Sequence, residues 1–98
     1  MEKAELLERL RAQKGALNAR GVEHLAIFGS RARGDHRPDS DLDVLLEVPW
    51  ERKFSLIDLV GVERLIGEAV DVRVSATMRR SLKPDFMTNI ACDLTDVF

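Results

Sequence analysis

Gly29-Ser30-Arg31-Ala32-Arg33-Gly34, Asp35-His36-Arg37-Pro38-Asp39-Ser40 and Asp41-Leu42-Asp43-Val44-Leu45-Leu46 follow one another without a break. Leu25-Ala26-Ile27-Phe28 stands immediately before them. Short apolar runs bounded by Gly, Pro, Asp and Ser mark buried strands. One strand therefore ends at the Gly29-Ser30 turn and the next begins at Asp41. Alternation along that second strand puts Asp41 and Asp43 on one face and Leu42, Val44 and Leu46 on the other.

Two carboxylates on one strand face lie about 6–7 Å apart, and they repel by about 0.7 kcal/mol in water and about 2.5 kcal/mol at an effective dielectric near 20. A fold gains nothing from this repulsion, whereas a divalent-cation site does. Hard cations such as Mg²⁺ take oxygen ligands, typically one or two carboxylates with the phosphates of a substrate. Gly29 permits close approach of backbone to a ligand, and Ser30 offers a hydroxyl and an amide. A helical turn over Ser30–Arg33 would leave its first amides free for an anion. Phosphate cradle and metal carboxylates then face each other across one polar, turn-rich loop, Gly34 to Ser40. Arg31, Arg33 and Arg37 read either as a solvated basic loop or as a source of one phosphate or partner contact.

Outward from this centre, Glu2 to Ala19 reads as a helix, with Leu6, Leu10 and Leu17 on one stripe and acids preceding bases. Gly21 follows its end, and Val22–Phe28 is the first strand. His24 reads as a bystander at the strand start. Asp41–Val48 is the second strand, stopped by Pro49, with Trp50 expected over the core edge. Ser55 caps a helix over Leu56–Ile66 that Gly67 ends. Ala69–Val74 reads as a third strand with Val70, Val72 and Val74 on one face and Asp71 and Arg73 on the other. An acid inside a valine-rich strand needs a partner, either an arginine (Arg73 or Arg33) or a cation shared with Asp41 and Asp43. Met78, Leu82, Phe86 and Ile90 fit a helical stripe interrupted at Pro84, and Asp93–Phe98 forms a tail.

The 98 residues amount to one expected domain, 45% apolar and 33% charged, which is an ordinary globular composition. A net charge of −2 argues against direct nucleic-acid binding. No apolar run reaches the roughly 20 residues that a membrane span needs, and no secretory leader opens the chain. The single cysteine, Cys92, excludes an internal disulfide and a cysteine-based metal site. The expected compartment is the cytoplasm.

Gly29-Ser30-Arg31-Ala32-Arg33-Gly34 followed by Ser40-Asp41-Leu42-Asp43 resembles the signature of the DNA polymerase beta-like nucleotidyltransferase superfamily. The short length resembles its minimal nucleotidyltransferase (MNT) branch, many of whose members are antitoxins paired with helical HEPN-domain toxins. The resemblance implies an α/β (α+β) fold, a small mixed or antiparallel sheet flanked by helices, over residues 1–98. It implies catalytic and metal-binding roles for Asp41, Asp43 and Asp71, the last by likeness of Ala69–Val74 to the strand bearing the family's third carboxylate. It assigns Gly29, Ser30 and Arg33 to the nucleotide. Mg²⁺ and ATP are the implied cofactor and substrate, with AMP passing to a hydroxyl, a tyrosine by likeness, of a HEPN toxin held in a hetero-oligomer. The rival reading is an antitoxin that neutralises its toxin by binding alone. Transfer to a small molecule or RNA is a third. The catalytic reading requires all three acids to converge on one side of the sheet.

Overall fold

In the computed structural model, which describes residues 1–98, the predicted N-terminal helix is two: α1 (Lys3–Arg11) and α2 (Lys14–Ala19). The break is a tight turn in which the Gln13 amide donates to the Leu10 carbonyl at 3.0 Å. Leu6, Leu10 and Leu17 are all buried across it, so the apolar stripe survives while the axis does not. Gly21 turns the chain at φ 104° into β1 (His24–Phe28). A short helix, α3 (Ser30–Arg33), and the loop after it lead to β2 (Leu42–Glu47). β1 and β2 pair antiparallel, with Phe28 opposite Asp43.

The next helix, α4, spans Leu56–Val70 and starts on a full capping box. The Ser55 hydroxyl accepts from the Asp58 amide at 3.2 Å, and the Asp58 carboxylate accepts from the Ser55 amide at 2.8 Å. Gly67 does not end this helix. Val62, Ile66 and Val70 continue one buried stripe at four-residue spacing, and that burial outweighs the weak helix propensity of glycine. The lack of a side chain at Gly67 instead lets the Val72 carbonyl pass close by.

The third strand is consequently displaced from its expected position. Ala69 and Val70 belong to α4, Asp71 is its left-handed C-cap (φ 54°, ψ 42°), and β3 runs over Val74–Met78. β3 lies parallel to β2, with Asp43 opposite Ser75. A 3₁₀ turn (Arg79–Ser81) leads to α5 (Pro84–Ile90), where Pro84 opens the helix instead of interrupting it. The expected tail is also structured. Thr95–Asp96 forms β4 against β1, completing a mixed sheet in the order β3-β2-β1-β4.

Alternation divides the core between the two sheet faces. Leu25, Ile27, Leu42, Val44 and Leu46 pack with α1, α2 and α4. Ala26, Phe28 and Leu45 pack with Ile90 of α5, with Leu82, Met87 and Leu94 around them. Asp43 shares the second, less covered face. Trp50, expected over the core edge, is 79% exposed. No helix is long and apolar enough to cross a membrane.

Candidate active site

Gly29 sits at φ 77°, ψ −159°, a region open in practice to glycine alone. That conformation turns the chain from β1 into α3 and brings the Gly29 Cα against the Asp43 side chain. A methyl group added at Gly29 would overlap the Asp43 Oδ2 atom. The Gly-Ser turn and the acid pair, eleven residues apart at their nearest, Ser30 and Asp41, are thus in contact through Gly29 and Asp43. The first amides of α3, those of Ser30, Arg31 and Ala32, have no intrahelical acceptor and are free to meet an anion.

The loop between them is held by Arg31. This side chain is only 5% exposed, and its Nε donates to the Ser40 carbonyl at 2.9 Å and its Nη2 to the Pro38 carbonyl at 3.4 Å. The Ser40 hydroxyl accepts from the Arg37 amide at 2.9 Å, closing the turn before Asp41. Arg31 therefore positions Asp41 through the backbone. Sequence reasoning gave this residue no such role, because its acceptors are main-chain carbonyls that composition and spacing do not reveal.

Asp41 is half-exposed, with the Arg73 guanidinium 3.8 Å away, a contact that solvent weakens. Burial pushes the Asp43 carboxyl above the ordinary carboxylate range, the Asp41 charge adds to the shift, and Arg33 opposes it. Arg33 itself donates to Asp35 at 3.0 Å and to Asp93 at 2.8 Å, and these two bonds hold its pKa above the usual arginine value. It stands close enough to Asp43 to oppose that shift, and it is already shared between two carboxylates. A divalent cation suits Asp41 and Asp43, since it removes their repulsion and the burden of the buried charge, and phosphate oxygens can fill its remaining positions.

Asp71 does not join them. It opens onto a groove shared with Met1 and Arg9 at the N-terminal helix and with His36 and Pro38. No set of three or more His, Cys, Asp and Glu side chains is grouped to hold an ion. The expectation of Asp71 as a strand-borne third ligand is therefore corrected. The valine alternation at 70, 72 and 74 mimics a strand, but Val70 is the last buried position of the helix. The repeat Val62, Ile66, Val70 was the sequence signal for this.

Comparison with known proteins agrees with this fold. Protein adenylyltransferase MntA of Thermococcus cleftensis is 36% identical over 75 residues, covering 76% of this chain and 74% of that protein. A solved structure assigned as a minimal nucleotidyltransferase superposes with a TM-score of 0.80 at 28% identity, covering 97% of this chain and 95% of the other. The MNT antitoxin complexed with a tri-AMPylated HEPN toxin of Shewanella oneidensis has the same fold, with a TM-score of 0.61 at 14% identity over 98% of this chain and 68% of its own. The family model for the nucleotidyltransferase domain matches residues 4–92. With the Gly-Ser turn packed against its acid pair on a mixed sheet, this chain belongs to the nucleotidyltransferase domain family.

Proposed function

We propose that residues 1–98 act as one minimal nucleotidyltransferase domain, a Mg²⁺-dependent protein adenylyltransferase working in the cytoplasm. It transfers AMP from ATP to a hydroxyl, a tyrosine by family likeness, of a HEPN-domain toxin with which it forms a hetero-oligomer. The observation that supports this reading most is the close approach of Gly29, in the turn that would cradle phosphate, to Asp43, an acid that would hold the cation. The likeness to an adenylyltransferase, and to an antitoxin complexed with an AMPylated toxin, supports the acceptor class.

In this reading Ser30 and the first amides of α3 hold the terminal phosphates, and Asp41 and Asp43 hold Mg²⁺. The bound ion supplies charge neutralisation of the triphosphate. Arg33 adds positive charge at the same edge. The acceptor oxygen attacks the α-phosphorus in line and forms the new P–O bond, its hydroxyl proton passes to solvent water, the α–β bridging P–O bond breaks, and pyrophosphate leaves with that electron pair. The chain's contribution is positioning and electrostatics. Mixing the chain with Mg-ATP and a cognate HEPN-domain toxin should add the mass of one or more AMP units to that toxin. Asp41→Asn and Asp43→Asn should abolish the gain; labelling that persists in both removes these carboxylates from the metal site.

With Asp71 at the end of α4, the convergence of three acids that the sequence reading required is not met. The catalytic reading is kept with Asp41 and Asp43 as its only acids, and the lack of a third favours a second reading, neutralisation by binding alone. Asp43→Ala separates the two. Under the catalytic reading it fails to neutralise the toxin, whereas under the binding reading it succeeds at equal stoichiometry.

A further inference from the structure

Arg33 ties the site to the end of the chain. It follows Ser30 by three positions on the single turn of α3, so the two side chains leave that turn on the same side. Its Nε donates to Asp35 at 3.0 Å and its Nη1 to Asp93 at 2.8 Å. The two acceptors are unequal. Asp35 lies in the loop after α3 with its side chain 61% exposed, whereas that of Asp93, sixty residues from Arg33, is 22% exposed.

The backbone of Asp93 is fixed on both sides. Its amide donates to the Ile90 carbonyl at 3.0 Å, and its carbonyl accepts from the Thr95 hydroxyl at 3.4 Å. Ile90 is buried against Ala26, Phe28 and Leu45, and Thr95 pairs with Ile27 of β1. The segment expected to be a tail is therefore a firm support for Arg33.

A guanidinium carries N–H donors on three nitrogens in one plane. Two of these nitrogens are engaged here, and no protein acceptor meets Nη2. Bonds at Nε and Nη1 fix the plane, so the free edge is presented in one orientation. A long side chain that is already held loses little further freedom when it binds an anion. The two carboxylates offset part of the arginine's charge, so what they supply is direction rather than field.

We propose that Asp93 is a positioning residue for nucleotide binding, holding Arg33 so that its Nη2 edge meets the triphosphate bound at Ser30. This rests on the nucleotidyltransferase reading and deepens it by giving the turn before β4 a part in the site.

Calorimetric titration of the full chain with AMP-PNP and Mg²⁺ tests it, with far-UV circular dichroism to check that each variant is folded. Asp93→Asn should weaken binding about three- to tenfold, the cost of immobilising one long side chain afresh. Asp93→Glu keeps a carboxylate for Arg33 and should restore most of the loss. In an Arg33→Ala background, itself weaker than wild type, Asp93→Asn should change binding by less than about twofold. Arg33→Lys keeps the charge but lacks the fork, and should bind at least about threefold more weakly than wild type. It also decides the question if Asp93→Asn does not fold. A loss below about threefold or a tightening in folded Asp93→Asn, or an equal loss in both backgrounds, overturns the inference and leaves the nucleotidyltransferase reading in place. Arg33→Lys or Arg33→Ala binding as tightly as wild type does the same. Wild type that binds no AMP-PNP overturns both.

Discussion

Replacing Gly29 by Ala tests the contact on which the site depends. The φ/ψ pair at this residue lies where any β-carbon is strained, which costs about 1–3 kcal/mol. The new methyl group would also overlap Asp43 Oδ2 and lie 3.3 Å from its Cγ, so the carboxylate must swing aside. Forcing that side chain off its rotamer adds about 0.5–1.5 kcal/mol. In an Asp43→Ala background the clash disappears, because the remaining Asp43 atom there is the Cβ at 3.5 Å, an ordinary van der Waals contact. Gly29→Ala should therefore be less destabilising in that background by about 0.5–1.5 kcal/mol. Urea unfolding of the four proteins measures this coupling. Circular dichroism is the better probe, since Trp50 is exposed in the native state and reports little on unfolding. The single variant should also bind Mg-ATP at least about tenfold more weakly, as a ligand displaced from a compact site loses more than about 1.4 kcal/mol of binding. A coupling below about 0.3 kcal/mol, the ordinary scatter of independent sites, refutes the contact.

Asp43→Asn should stabilise the folded chain at neutral pH while removing activity. The folded pKa of Asp43 is raised above its ordinary 3.8, so its favourable contribution is present below pH 3.8 and lost as pH rises through the folded value. The stability gap between Asn and Asp should be absent in acid and open toward pH 7 to a few tenths of a kcal/mol, or about 1 at most after solvent screening. Mg²⁺ should close it by stabilising the wild type alone, as thermal melts across pH would show. Arg31→Ala strands the Ser40 and Pro38 carbonyls and should cost about 1–3 kcal/mol in urea unfolding. Arg31→Lys should recover only part of this, because an ammonium lacks the fork that reaches both carbonyls. Arg33→Ala, at a side chain 45% exposed, should change stability by less than about 0.5 kcal/mol yet weaken nucleotide binding measured by calorimetry. Ser55→Ala removes the capping box of α4 and should cost about 1 kcal/mol in the same unfolding assay.

Local pattern alone determined the central part of this protein. Leu25–Phe28 and Leu42–Leu46 are apolar runs of strand length, and their alternation already put Asp41 and Asp43 together and Leu42, Val44 and Leu46 in the core. Gly29-Ser30 after the first run could only be a turn, and Ser55 with Asp58 three residues later marked a helix start. Each of these signals acts within a few residues, where periodicity and capping chemistry are decisive. Tertiary structure decided what local pattern left degenerate. Val70 fits a strand alternation and a helix stripe equally well, and only packing of α4 against the sheet chose the helix, moving β3 to Val74–Met78 and Asp71 off the site. Arg31 became the clamp of the acid loop because its acceptors are carbonyls brought close by folding. The neighbour of Asp43 on β3 is Ser75 because strand register is set by contacts between segments far apart in the chain, which no short stretch contains.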